Sequence, residues 1–381
     1  MRAIILGTQS FIDGGTKVGS QHLAQAMAAA GWTVDYVPTL SSPLDVIGLQ
    51  RHARLARAWR GVATRQAVMI TPGLTEWSLQ AWFPAHRLFL RWPWQLKAYG
   101  RRLPTLLRHV PFDACIADVA PNMLLLHQVR ARAKICRLND WPRGFAHDLH
   151  SVLIEGLESM LRNDCFDEVW AVSRPLAAYA HDLNPQTPVA WIPNGVDAGM
   201  LAPFSAGGPA TRRPRSAVYV GGLTAWLDME LLCQVARLLP DWTFDIHVPG
   251  GPPPHAGPGN LRWRGSVGRA ELPGLLQRHE VGLIPFREAD GRMRYVERPL
   301  KFYEYIAAGL GVASTDLGAL RQGMGALACY GNAAKTFAEA VVQAREHALA
   351  RPPGFARDFV EAHCWTKRAE TMLAQLEALL S

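Results

Sequence analysis

The sequence predicts an α/β protein made of two doubly wound, parallel-sheet domains joined by a short linker. Three observations predict this class. The chain has 381 residues, more than one hydrophobic core of ordinary size usually holds. Its opening reads as strand, glycine loop, helix and strand, and this order restarts after residue 216. Residues 205–216 are rich in Gly, Pro, Ser and Arg without apolar periodicity, which is typical of a linker.

The first half opens with a buried-type strand at residues 3–6 and a glycine loop at 14–16. A helix follows over residues 20–30, where Gly31 ends it, and a second strand covers 33–37. This βαβ order favours a parallel sheet. Further strands are predicted at residues 67–71, 114–117, 134–137, 168–172 and 189–192.

The second half repeats the pattern with a strand at 217–220, a turn at Gly221-Gly222, a helix at 228–239 and a strand at 243–248. Later strands are predicted at residues 261–264, 281–285 and 311–314. The last helix, 365–380, is expected to cross back to the first domain. We therefore expect domains at 1–204 and 217–355, the linker at 205–216, and a C-terminal segment at 356–381 on the first domain.

Composition and net charge indicate which classes of binding partner to expect. The net charge of +8 favours an anionic partner such as a nucleotide, a diphosphate or a phospholipid head group. No nucleic-acid reader motif is visible, so nucleic acid is not expected. The six scattered cysteines have no ligand spacing and no Asp-x-Asp occurs, so we expect neither a metal nor another cofactor. No apolar stretch reaches the about 18 residues of a membrane span, which predicts a cytoplasmic protein, at most peripheral on the inner face of the membrane.

The strongest local motif runs from Arg298 to Gly309. Pro299 suits the first turn of a helix, and it places Lys301 and Glu304 on one helical face. A helix amino terminus that carries a lysine suits a diphosphate, because free N–H groups and the helix dipole add to the ammonium. A carboxylate one turn later can accept hydrogen bonds from ribose hydroxyls. The alternative is an ordinary surface ion pair.

This motif resembles the donor site of GT-B glycosyltransferases, in which Pro-Leu-Lys-x-x-Glu-Tyr precedes an Ala-Ala-Gly turn. Four other segments match that family in order: residues 191–197, 218–223, 260–265 and 281–286. The resemblance implies the GT-B fold, two Rossmann-like domains facing a cleft, with acceptor bound by the first and a UDP-sugar donor by the second. It also implies transfer of the sugar to an acceptor hydroxyl.

The resemblance also implies roles for donor-side residues. The implied set is Lys301 at the diphosphate, Glu304 at the ribose, Gly221, Gly222 and Leu223 with backbone N–H groups near the phosphates, Phe286 near the nucleobase, Leu300 beside the lysine, and Arg298 near the leaving-group charge. Glu297 and Glu304 have six residues between them, so the Glu-x7-Glu motif of many retaining members is not met. A retaining hexosyltransferase and a nucleotide-sugar epimerase remain alternatives.

Asp140 follows the strand at 134–137 within Arg137-Leu138-Asn139-Asp140-Trp141-Pro142. A carboxylate there could take the proton of an attacking hydroxyl, or it could simply form a turn. The stretch resembles the catalytic Asp region of the xanthan-type β-glucuronosyltransferases (GumK-like) of bacterial exopolysaccharide synthesis. That resemblance implies inverting, metal-independent transfer, with glucuronate as one donor sugar and a lipid-linked saccharide as acceptor. In that group the ribose contact is a Gln, where this chain has Glu304.

Two further sets complete the predictions. The acceptor-side candidates are Gly15, Thr16, His22 and Trp141. Basic and Trp residues alternate in two stretches that suit an anionic membrane surface or a lipid-linked diphosphate acceptor. The alternative is a solvated helix face. The members are Arg51, Arg54, Arg57, Trp59, Arg60 and Arg65, then Trp82, Arg87, Phe89, Arg91, Trp92, Trp94, Lys97, Arg101 and Arg102.

Overall fold

The structure is a computed structural model that describes residues 1–12, 17–44, 67–201, 212–249, 257–288 and 291–381. By its internal contacts the chain divides into two compact units. The first unit comprises Met1–Pro193 together with Arg368–Ser381, and the second comprises Asn194–Lys367. The predicted Gly14 loop, the basic stretch at 51–65 and most of the predicted linker lie outside the described residues.

The first unit alternates strands and helices. Its elements are β1 (Arg2–Leu6), α1 (Gly19–Ala29), β2 (Thr33–Val37), β3 (Ala67–Thr71), β4 (Leu74–Trp77), α2 (Pro93–Gly100), α3 (Thr105–Arg108), β5 (Pro111–Asp118), β6 (Arg130–Leu138), α4 (Ser151–Arg162), β7 (Glu168–Ala171), α5 (Arg174–Leu183) and β8 (Val189–Trp191). Short 3-10 helices cover Pro121–Gln128 and Pro142–Phe145.

The second unit repeats the alternation. Its elements are β9 (Ser216–Val220), α6 (Met229–Leu238), β10 (Thr243–His247), β11 (Leu261–Arg264), α7 (Leu272–Gln277), β12 (Val281–Ile284), α8 (Leu300–Ala307), β13 (Gly311–Ser314), α9 (Gly318–Met324), β14 (Cys329–Tyr330), α10 (Ala334–Leu349) and α11 (Phe355–His363). The last helix, α12, runs from Trp365 to Leu380.

Strand order in both sheets reverses beside the first strand of each unit. Within the described residues the first sheet has the order β3-β4-β2-β1-β5-β6-β7-β8, and the second has β11-β10-β9-β12-β13-β14. Ligands of doubly wound sheets bind outside the carboxyl ends of the strands at such a reversal. The second unit therefore has its switch point between β9 and β12, and the first has it between β1 and β5.

One edge of the first sheet differs from the predicted all-parallel arrangement. β3 pairs antiparallel with β4, whereas β4 pairs parallel with β2. Sequence inspection missed β4, because Gly73, at φ 82°, turns the chain back after only two residues. Such a tight turn lets β3 and β4 pair as a hairpin at the edge.

Apolar faces of the helices and both sides of the strands form the cores. The first core joins residues of β1 and α1 to α12, where Ala369, Met372 and Leu376 are buried. The predicted return of the C-terminal helix to the first domain is therefore confirmed. The second core contains Phe244 of β10 and Tyr305 of α8.

A buried carboxylate ties the second sheet together. Asp245 of β10 accepts hydrogen bonds from His279 Nε2 (3.0 Å), Arg264 Nε (3.1 Å) and Arg213 Nη1 (3.1 Å). Burial opposes its ionisation, but the hydrogen bonds from His279 and Arg264, and their charges, outweigh this and hold the pKa of Asp245 well below its ordinary value. The buried charge is thus fully compensated.

Candidate functional site

The carboxyl ends of β9 and β12 meet at the switch point of the second sheet. β9 leads into Gly221 and Gly222, and β12 leads into Pro285 and Phe286. Helix α8 begins nearby at Leu300, with Pro299 as its N-cap at φ −65° and ψ 150°. The proline was expected in the first helical turn and instead lies one position before it, so Lys301 is the second residue of α8.

The ammonium of Lys301 lies between two aromatic rings at this point. Its Nζ is 4.8 Å from the ring centroid of Tyr219 and 4.8 Å from that of Phe286. Burial lowers the pKa of Lys301 from 10.5 to about 8, and the charge of Glu304 offsets this only in part. Among the described residues Lys301 forms no hydrogen bond or ion pair. A desolvated cation without a close counter-ion is suited to pairing with an anion.

The glycine turn after β9 lies against this ammonium. A Cβ on Gly221 would be 3.1 Å from Lys301 Nζ and 2.8 Å from Tyr219 Oη, so a larger residue would have to displace these two side chains. The N–H of Gly221 donates to the His247 carbonyl at 3.1 Å, and Tyr219 Oη donates to the Gly222 carbonyl at 3.0 Å. The predicted set of three phosphate-facing N–H groups is therefore reduced to those of Gly222 and Leu223.

Glu304 lies one turn after Lys301 on α8 and pairs with Arg269. Arg269 Nη1 donates to Glu304 Oε1, and its Nη2 is 3.8 Å from Asp197 Oδ2. Sequence reasoning missed Arg269, since 35 positions separate it from Glu304 and no spacing rule connects them. The arginine fixes the carboxylate in place through an ion pair.

A groove of about 570 Å³ extends from this sheet along helix α7, whose Gly274 and Leu275 line it. It begins at the ends of β10 and β11, where His247 Nδ1 lies 3.3 Å from the Gly265 carbonyl. Ser266, Val267 and Ala270 also line the groove, so residues on both sides of Arg269 in sequence contribute to its wall. Burial lowers the pKa of His247, which favours the neutral ring.

Two predicted donor-side residues have other contacts. Arg298 Nε donates to the Gly323 carbonyl at 2.7 Å and thereby holds α9 near α8. Arg298 was expected near the leaving-group charge, but its Nε is directed at the Gly323 carbonyl instead. Phe286 is 4% exposed, with its ring against the Lys301 ammonium, which leaves little of it for a nucleobase. Leu300 is half-buried and Leu223 is exposed.

Asp140 lies two residues beyond β6 in the first unit. Its Oδ1 accepts the N–H of Trp141 at 2.9 Å, and Asn139 Oδ1 accepts the N–H of Val119 at 3.2 Å. A buried ion pair, Arg137 Nη1 to Asp118 Oδ1 at 3.0 Å, precedes it at the ends of β5 and β6. The carboxylate is partly exposed at the carboxyl edge of the sheet, and its role as a base stays a prediction.

A buried glutamate fixes the segment after Asp140. Arg143 of the 3-10 helix donates through Nε (2.7 Å) and Nη2 (2.9 Å) to Glu158 of α4, which also accepts from Arg162 (3.0 Å) and Tyr179 (2.6 Å). Burial opposes ionisation of Glu158, but these hydrogen bonds and charges outweigh it and lower its pKa. The connection that carries Asp140 is therefore held to α4 by the two hydrogen bonds of Arg143, while Arg162 and Tyr179 hold Glu158 in place.

The structure describes only two of the four predicted acceptor-side residues. His22 is half-buried on α1, and Trp141 is 8% exposed. Gly15 and Thr16 lie outside the described residues. No cluster of three or more His, Cys, Asp or Glu that could hold a metal ion occurs in the described ranges.

The second basic and aromatic stretch forms an exposed surface on the first unit. Trp82, Trp92 and Trp94 are 69%, 52% and 56% exposed. The Arg102 guanidinium lies 5.4 Å from the ring of Trp82, and that of Arg91 lies 5.5 Å from the ring of Trp92. None of the helices in the described part of the chain is long and apolar enough to span a bilayer.

The fold is shared with solved glycosyltransferase structures along nearly the full chain. Sucrose-phosphate synthase from Thermosynechococcus elongatus matches with a TM-score of 0.70 and 17% identity, over 100% of this chain and 99% of that one. An E. coli structure described as trehalose-6-phosphate bound with UDP-2-fluoro glucose matches with a TM-score of 0.65 and 12% identity, over 99% of both chains. The predicted GT-B fold is thereby confirmed, and at these identities the likeness concerns the fold alone.

Sequence similarity to curated proteins is limited. A Bacillus subtilis (strain 168) protein, TuaH, provisionally described as a teichuronic acid biosynthesis glycosyltransferase, is 29% identical over 108 residues. The match covers 26% of this chain and 26% of TuaH, so it spans about a quarter of that relative. No protein-family model matches the chain. The finer resemblance to the xanthan-type glucuronosyltransferases stays a prediction.

Proposed function

We propose that the chain is a metal-independent glycosyltransferase that moves a sugar from a UDP-sugar to a hydroxyl of a saccharide acceptor. One observation carries this proposal: the Lys301 ammonium, desolvated and without a close counter-ion, lies at the amino end of α8 beside the Gly221-Gly222 turn. A helix amino terminus, a lysine and a glycine turn together suit the two phosphates of a nucleotide donor.

The rest of the nucleotide follows the edge of the second sheet. Glu304, held by Arg269, accepts the ribose hydroxyls one helical turn from the diphosphate. The nucleobase enters the 570 Å³ groove at Gly265, Ser266 and Val267, whose volume lies in the range typical of small-molecule sites. Neutral His247, next to Gly265, can donate or accept a hydrogen bond to the base.

Chemistry at the sugar requires a base and a stabilised leaving group. Asp140 takes the proton of the acceptor hydroxyl while the oxygen of that hydroxyl bonds to the anomeric carbon. At the same time the bond between the anomeric carbon and the UDP oxygen breaks. The additional negative charge that develops on the departing diphosphate is met by Lys301 and the α8 dipole. This single displacement inverts the anomeric configuration. The partly exposed position of Asp140 just beyond β6, next to the segment that Arg143 fixes to Glu158, supports this assignment.

The acceptor is proposed to be a lipid-linked saccharide of exopolysaccharide or cell-surface glycan synthesis, with glucuronate as a candidate donor sugar. The three exposed Trp side chains with their arginines support docking on an anionic inner membrane face, because Trp favours the interfacial level and Arg binds phosphate. TuaH, the relative that matches a quarter of its length, is described in teichuronic acid biosynthesis, another cell-surface glycan.

The test combines UDP release with donor binding. Thermal-shift screening against UDP-glucuronate, UDP-glucose, UDP-GlcNAc and GDP-mannose identifies the donor, because a bound ligand stabilises the folded state. Asp140→Asn is expected to reduce kcat by about 10²–10⁴-fold with unchanged donor affinity. The matched control is Asp148→Asn, an exposed aspartate of the same connection. Normal activity of a folded Asp140→Asn variant would remove that residue from the mechanism.

The anomeric configuration of the product, read by NMR, distinguishes the inverting reaction from retaining transfer. Turnover of UDP-GlcNAc without any acceptor would instead indicate an epimerase. No thermal shift with any nucleotide sugar or with UDP would refute the donor site itself.

A further inference from the structure

A second groove, on the first unit, has a volume of about 750 Å³. Its walls are α2, the 3-10 helix Pro121–Gln128 and the carboxyl half of α4. None of the residues assigned above to donor binding or catalysis lines it. Its size lies in the range of small-molecule sites.

The floor of the groove is apolar and exists because two glycines admit close approaches. A Cβ on Gly100 would be 2.7 Å from the Leu124 carbonyl oxygen, and one on Gly156 would be 3.2 Å from Leu96 Cδ1. Leu96, Leu124 and Met160 supply most of the apolar wall. A channel of this kind between two helices favours a hydrocarbon chain.

The charged side chains at the rim of the groove are all basic. Lys97, Arg101 and His127 line it and are all exposed, and none of its described lining residues is acidic. A purely apolar ligand would gain nothing from this rim. A ligand with a hydrocarbon chain and an anionic head group would match both parts.

The groove adjoins the exposed Trp surface. Trp92 is the N-cap of α2 and Trp94 is its second residue, while Lys97 lies on the same helix. Helix α2 thus presents interfacial aromatic side chains at its start and the groove along its later turns. A lipid that leaves the bilayer at the level of these Trp side chains can reach the groove along one helix.

We propose that this groove binds the phosphate-bearing end of a single membrane lipid. The chain nearest the phosphate lies between α2 and α4, and Lys97 and Arg101 bind the phosphate. The inference rests on the proposed function in one respect, namely that this lipid is the anchor of the glycosyl acceptor. Binding of the lipid phosphate itself needs neither donor nor catalysis and is tested without them.

The probe is farnesyl phosphate, with farnesol and inorganic phosphate as its two halves. Cys165 lines the groove and supplies a local readout, because a bound lipid shields its thiol from an alkylating reagent. Mass spectrometry follows alkylation of Cys165, with Cys233 and Cys364, partly buried thiols of the second unit, as internal controls. We expect farnesyl phosphate to slow alkylation at Cys165 alone, and each half-ligand to have at most a weak effect.

Two variants test the groove. Lys97→Glu with Arg101→Glu should weaken farnesyl phosphate binding by at least about 10-fold, because it replaces the two cations that bind the phosphate by anions that repel it. Ser159→Trp should block the channel, and unchanged thermal stability confirms that it folds. Lys335→Glu with Arg357→Glu, exposed positions of the second unit, makes the same charge change elsewhere.

The outcomes are distinct. Equal protection by inorganic phosphate would mean that no chain is bound, and unchanged protection in both groove variants would place the lipid elsewhere; either result overturns the proposal. Protection that is lost in the groove variants supports it. If lipid binding is normal and no nucleotide sugar binds, the lipid site stands and the proposed transferase function fails.

Discussion

Replacing Lys301 by methionine should stabilise the protein while abolishing donor binding. In the unliganded protein the lysine is a desolvated cation whose pKa falls from 10.5 to about 8. That displacement corresponds to about 3 kcal/mol of unfavourable burial of the charged form. Contacts with the Tyr219 and Phe286 rings return about 1–2 kcal/mol. Methionine has similar length and no charge, so the net gain on substitution is about 1–2 kcal/mol at pH 7.

The pH dependence has a defined sign. Between pH 8 and 10.5 the unfolded lysine still holds a proton that the folded one has lost, so the stability of the wild type rises with pH through this window. The variant lacks this contribution. Its advantage over the wild type should therefore be present at pH 7 and disappear by pH 10.

Urea denaturation followed by Trp fluorescence measures the difference in the free energy of unfolding between Lys301→Met and the wild type at pH 7 and pH 10. The corresponding increase in Tm at pH 7 is roughly 2–8 °C for a domain of this size. Saturating UDP reverses the order, because a ligand at about 100 times its Kd stabilises only the wild type, by about 2.7 kcal/mol. Lys335→Met, an exposed lysine on α10, should change neither quantity. A Lys301→Met variant that is less stable at pH 7, with a deficit independent of pH, would refute the reasoning.

Three other substitutions test separate contacts. Asp245→Asn should lower the free energy of unfolding at pH 7 by about 1.5–3 kcal/mol, because it removes the buried charged acceptor of the hydrogen bonds from His279, Arg264 and Arg213. Since the native pKa is depressed, the wild type loses this stability as the pH falls below 3.8, and urea melts at pH 7 and 3 should show the difference between the two proteins narrowing. Gly221→Ala should weaken UDP binding by about 10-fold or more in calorimetry, because the new Cβ crowds Lys301 Nζ at 3.1 Å, an effect of about 1.4 kcal/mol; equal affinity would contradict the site. Glu158→Gln should lower kcat by about 10-fold with donor Kd unchanged, because it loosens Arg143 and the connection before it; a loss of donor affinity instead would argue against that local role.

Part of the site could be read from the chain because it depends on local periodicity. Lys301 and Glu304 fall on one face of α8 by their spacing alone. Gly309, at φ 76°, ends that helix as the Ala-Ala-Gly pattern predicts, with the N–H of Leu310 donating to the Tyr305 carbonyl. The order of strands and helices followed from the same short-range patterns, except for β4 and the short edge strand β14, which the sequence did not predict.

The remaining features depend on contacts between segments far apart in sequence. Only the strand order β10-β9-β12 brings Tyr219 and Phe286 around the Lys301 ammonium. Arg269 reaches Glu304 across 35 positions, and the His247 carbonyl takes the Gly221 N–H that the sequence had assigned to phosphate. A sequence thus determines which groups a helix presents on each face. The packing of sheets and helices decides which of those groups are already paired, and hence which remain available for a ligand.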